Sequence, residues 1–152
     1  MLTMAPTRDL DRFRTNQWLA EYLQELYLDH YTDVPIPNKL VVKFGRKSRS
    51  RFGSIIAKTE KSTGKLITYI SINQLFRDPV VPDYVIGATL MHEFAHYAHG
   101  FHSPLPRKYT HPHRGGIVDK EIIKRGGEAL LKDQEKWVKE VYRDFLKQRG
   151  ML

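Results

Sequence analysis

Between Pro82 and Gly100 the chain has a proline placed to open a helix and a glycine placed to stop one, and the second half of that span reads MHEFAHYAHG. With the two residues that follow, four histidines and one glutamate fall within twelve positions, Met91 to His102. A helix delimited at both ends sets the directions of its side chains. His92 and His96, four residues apart, point the same way, so their imidazoles converge. Glu93 stands one step round. Two histidines at this spacing suit a metal ion. A carboxylate beside them suits taking a proton from water that the metal has made acidic.

The chain contains no cysteine, which excludes disulfides, a thiol nucleophile and a cysteine-type zinc ribbon. A metal is then held by nitrogen and oxygen, and zinc is the ion expected. Catalytic zinc usually takes three protein ligands and leaves a fourth position for water, so a third ligand is needed. His99 faces the same side of the helix, but it lies ~10 Å along the axis from His92 and cannot share one ion with both. It reads as a histidine behind the ligands or an exposed one. His102 is better placed, because a chain turned at Gly100 folds back within two residues. His113 and His111, in THPHRGG, are its competitors from the long loop of residues 103–116, and Glu121 and Glu128 are the carboxylate candidates further on. Tyr97, Tyr109 and His99 are candidates to stabilise an oxyanion.

The remaining elements are expected to surround this helix. Leu10, Phe13, Trp18, Leu19, Tyr22, Leu23, Leu26 and Tyr27 recur near a 3.6-residue period, which predicts an amphipathic helix over residues 7–31. KLVVKFG reads as a strand. RFGSIIAKT and KLITYISI read as two more, joined through Gly64 into an antiparallel hairpin. After the loop, helical pattern resumes from Ile117, with an apolar stripe of Leu130, Trp137, Val138, Val141, Tyr142, Phe145 and Leu146. The fold class expected is α+β: a small antiparallel sheet of about three strands packed with an N-terminal helix, the histidine helix and C-terminal helices. At 152 residues this is one domain over residues 1–152. No apolar run approaches the ~18 residues that cross a bilayer, and the first residues lack an apolar core of signal-peptide length. The expected location is the cytoplasm, with no membrane partner.

Charge is concentrated. In residues 39–65 nine basic side chains face one acid, Glu60, so the whole formal excess of +8 lies there. Such a field is expected of a phosphate-binding surface, and Arg46, Lys47, Arg49 and Arg51 are its candidate nucleic-acid contacts. The alternative is a solvated sheet edge guarded by lysines.

SRSRFGSI, then LITYISINQLF, then VIGATLMHEFAHYAHGFHSP, in that order, resemble the SprT-like (Spartan-type) zinc metalloprotease domain, over about residues 39–113. The resemblance implies a small mixed α/β metalloprotease fold, with His92 and His96 as zinc ligands and Glu93 as general base. In some relatives the third ligand follows by six residues, which lands on His102; in others it opens a later helix, where His113 of HRGGI matches. Phe52 stands where tryptophan is more usual. The family also implies a protein or peptide substrate and an association with DNA and DNA-crosslinked proteins. Two other readings compete: a metal-dependent nucleic-acid hydrolase of the YbeY type, which has glycine at the position of Glu93, and a non-catalytic zinc-containing nucleic-acid-binding module. The second requires four filled protein positions around the ion.

Overall fold

A computed structural model describes residues 12–152. Helix α1 (Asn16–His30) is followed by strands β1 (Lys39–Phe44), β2 (Gly53–Thr59) and β3 (Leu66–Ile72), then by α2 (Asp83–Ala98), α3 (Ile117–Lys124), α4 (Glu128–Trp137) and α5 (Arg143–Gln148). The fold is α+β, as expected. No described helix is long and apolar enough to cross a membrane.

α1 begins later than its periodicity predicts. Thr15 caps it, accepting from the Trp18 N–H, and Arg14 just before is buried, its guanidinium donating to the carbonyls of Phe76, Asp78 and Val81. These bonds tie residue 14 to the segment before α2, so Phe13 precedes the helix. Leu10 and the rest of the expected first turn lie outside the described residues.

β2 and β3 form the expected antiparallel hairpin. The sheet as a whole is mixed, not wholly antiparallel, because β1 pairs with β3 in parallel and the strand order is β1-β3-β2. Two reversals of direction separate β1 from β3, so β3 runs the same way as β1 and slots between its two neighbours. The most apolar strand thereby gains a partner on each side. Its register divides the sheet into two faces. On the inner face Ile70 and Ile72 are fully buried, with Leu40, Val42, Phe44 and Ile55 packed beside them. On the outer face Tyr69 lies between Val41 and Ile56, and Ser71 between Lys43 and Ser54.

α2 crosses the inner face and is enclosed by it, α1, α3 and α4, with 13 of its 16 residues buried. Burying side chains such as Ile86, Leu90, Met91 and Phe94 is worth ~1.5–3 kcal/mol each, which holds this helix at the centre. At the C-terminus the chain passes from α4 to α5 through a π-helical turn, Val138–Tyr142. The wider turn shifts the apolar stripe out of phase, and Val138 and Val141, expected in the core, are exposed while Trp137, Phe145 and Leu146 are buried.

Candidate metal centre

The inward side of α2 presents His92 and His96 as its period requires, with His96 Nε2 3.2 Å from His92 Nε2. The third imidazole is that of His113, whose Nε2 lies 2.9 Å from His96 Nε2. All three ligand atoms fall within 4.8 Å of one another, close enough to hold a metal ion. Ligand nitrogens around a tetrahedral ion with bonds of ~2.0–2.1 Å are separated by about 3.3 Å, close to the 3.2 and 2.9 Å that His96 keeps from His92 and His113. Protonation fits as well. Burial, then repulsion from His92 and His113, pushes His96 down to about 3, and burial, with His113 behind it, also lowers His92. The uncharged imidazoles of His92 and His96 have lone pairs to offer a cation.

His102, the better-placed candidate by sequence, is not part of this group. The chain does turn at Gly100, whose φ of +86° is left-handed, but His102 itself is left-handed at 55° and its carbonyl accepts from the Thr68 hydroxyl, 2.7 Å away. That bond fixes the backbone against β3 and leaves the His102 side chain exposed. His113 arrives by the long way round. A Cβ on Gly100 would come within 2.4 Å of the Pro106 carbonyl oxygen, so only glycine lets the returning loop lie on the end of α2. The Lys108 N–H donates to the His99 carbonyl, and Gly115 and Gly116, both at positive φ, turn the chain from His113 into α3.

The remaining candidate residues are engaged elsewhere. His99 is fully buried and bonded through Nε2 to Glu121 at 2.8 Å, so it is neither a ligand nor exposed. Glu121 also accepts from Arg125 Nε, 3.1 Å away. His111 and Glu128 are exposed, the latter paired with Lys132. Among the oxyanion candidates, the Tyr97 hydroxyl donates to Asn38, away from the histidines, and Tyr109 packs edge-on against His99.

Glu93 lies beside the ligands in a cleft whose walls include Ser50, Arg51, Phe52, Gly53, Thr89 and Gln134. Burial pushes its carboxyl up to about 7, with the positive charge of Arg51 pulling the other way. Gly53 is there by necessity. A Cβ on it would stand 2.7 Å from Thr89 Cγ2 and 3.3 Å from Glu93 Cγ, so the first residue of β2 reaches the histidine helix as bare backbone.

Sequence reasoning missed Asn73. This buried side chain accepts from the N–H groups of Ser48 and Leu75 and donates to the carbonyls of Ser48 and Arg51, clasping the segment that forms the cleft wall. Phe52 fastens the same segment from the other end, packing edge-on against Phe76 and Tyr142. An asparagine directly after a buried strand was the available signal. Of the four basic residues singled out, Arg46, Lys47 and Arg51 line a second cavity, beyond this wall, whereas Arg49 does not line it and its carbonyl accepts from the Tyr142 hydroxyl. Comparison with family models, with curated proteins and with solved structures finds no match to the chain.

Proposed function

We propose that the chain is a zinc-dependent endopeptidase of the SprT-like type. The observation that carries this reading is the convergence of three histidine nitrogens, with the Glu93 carboxyl beside them at an open cleft. A set of imidazoles without sulfur suits zinc, and three protein ligands rather than four are what catalysis requires. Zinc bound there supplies Lewis acidity, lowering the pKa of water and polarising a carbonyl.

His92, His96 and His113 would hold the ion. Glu93 takes the proton from the attacking water and returns it to the departing amine, a role served by a carboxyl raised towards neutrality. β2 lies at the edge of the sheet, so its outer N–H and C=O groups are available to an extended peptide, and Gly53 brings that edge to Glu93. A substrate strand added there passes its carbonyls over the histidines. Arg51 is the cation of the cleft wall and the group placed to meet a developing oxyanion.

The test is Glu93→Gln, measured for zinc content and for hydrolysis of an unfolded protein such as casein. We expect zinc to be retained and the rate to fall at least about 100-fold, the usual range for a lost general base. His92→Ala should lose both. Full activity in Glu93→Gln would overturn the reading.

A further inference from the structure

Leu130, Leu131 and Trp137 pack α4 against the core, and Gln134 interrupts that stripe with an amide. Its Nε2 donates to the Val85 carbonyl at 2.8 Å and to the Thr89 hydroxyl at 2.9 Å. α2 does not depend on these bonds, because the Thr89 hydroxyl already donates to the Val85 carbonyl, 2.8 Å away. What they fix is the direction of the amide. A backbone carbonyl accepts and cannot donate, so the Gln134 nitrogen has to face Val85 and its oxygen, Oε1, has to face away. Among the described residues Oε1 has no hydrogen-bond partner, and it is not sealed from solvent. Gln134 lines the cleft beside Glu93.

Thr89 stands between this amide and β2. Its methyl faces Gly53, where a Cβ would lie 2.7 Å from it, and its hydroxyl, on the other branch of the same side chain, faces Gln134. The cleft therefore has the open edge of β2 on one flank and a fixed acceptor on the other. We infer that Gln134 is a substrate-binding residue, its Oε1 accepting a backbone N–H from the edge of the bound peptide that faces away from β2. The inference rests on the peptidase reading above. An extended peptide carries N–H and C=O groups on both edges, alternating along the chain, and β2 can pair with only one of them. Gln134 supplies a partner to the other. The N–H is common to every residue but proline, so the acceptor fixes the strand without selecting a side chain, and it disfavours proline at that one position.

The probe is a hydroxamate joined through a methylene to a fluorescent tri-alanine amide, added to the zinc-loaded protein and followed by anisotropy. Hydroxamate on the metal sets the register, and no cleavage enters the measurement. Lactate in place of one alanine at a time turns one amide into an ester and deletes one N–H. In the parent protein two neighbouring esters should each cost about 3- to 10-fold in affinity, the range for a single neutral hydrogen bond. Gln134→Met keeps the length and the apolar stem of the side chain. In that variant the cost at one position should vanish while the others persist, whereas loss of a merely structural tie would weaken all the probes alike. Costs confined to every second amide in the parent would overturn the inference, with no variant required. So would a folded Gln134→Met protein that keeps every cost of the parent. A tri-alanine probe binding no tighter than acetohydroxamate would overturn the peptidase reading along with it.

Discussion

The two faces of one three-stranded sheet meet opposite demands. Towards α2, β3 turns Ile70 and Ile72, both fully buried, and the helix packed there holds a carboxyl raised to about 7 and an imidazole lowered to about 3. Away from it, the same strand turns Tyr69 and Ser71 among exposed lysines. The period of two along a single strand therefore separates groups that need a low dielectric from groups that need water to screen them. Neither set could exchange places. An unpaired lysine on the inner face would lose its hydration, and Glu93 on the outer face would be an ordinary ionised carboxylate.

The sharpest way to break this contrast is at the ligands. If zinc is held as proposed, His113→Ala should lower its affinity more than about 100-fold, since even partners behind the ligands cost 10–100-fold. His102→Ala should leave zinc content unchanged. Titration against a chelator of known affinity measures both, and the reverse order would return the third ligand to the residue beside Gly100. A smaller effect compares side chains on the two faces of β2. Gly53→Val pushes methyl groups into Thr89 and Glu93 and should cost ~1–3 kcal/mol in chemical denaturation, whereas Ile56→Ser on the outer face should change stability by less than ~0.5 kcal/mol.

The smallest effect concerns acid. Burial alone would raise the Glu121 carboxyl, but the hydrogen bond from His99 and the charge of Arg125 outweigh it and hold the group below its ordinary value. A depressed carboxylate stabilises the fold above its unfolded pKa, and that contribution is lost as pH falls through the folded value. Glu121→Gln should accordingly lose Tm at pH 7 yet approach the parent protein as pH drops into and below the carboxylate range. Parallel Tm curves for the two proteins would show that Glu121 contributes no such linkage.

What was legible in the sequence was local. Pro82 and Gly100 delimit α2, the four-residue spacing aligns His92 with His96, and Gly64 marks the hairpin, because each signal acts within a turn or two of chain. The parallel pairing of β1 with β3 joins strands that are not neighbours in sequence, and only the near-continuous apolar run of LITYISI hints that β3 is central. That His113, rather than the more favoured His102, joins His92 and His96 has a related reason. Proximity to His96 favoured His102, but the Thr68 hydroxyl that holds its backbone belongs to β3, and the close fit of Gly100 against Pro106 is a contact between two loops. The π-helical turn that exposes Val138 and Val141 likewise left no mark in a pattern read at 3.6 residues per turn.

The seat of the returning loop on Gly100 also bears on how the apo chain reaches a state competent for metal. His113 lies seventeen positions beyond His96, and an ion joining them from an unstructured chain would have to close that whole loop. The Pro106 contact and the bond from Lys108 to His99 close most of it beforehand, so only the five positions from Lys108 to His113 remain to be fixed by the ion. On the logarithmic scaling of loop closure the difference is about 1 kcal/mol in favour of binding, roughly a fivefold gain in affinity from residues that never touch the metal.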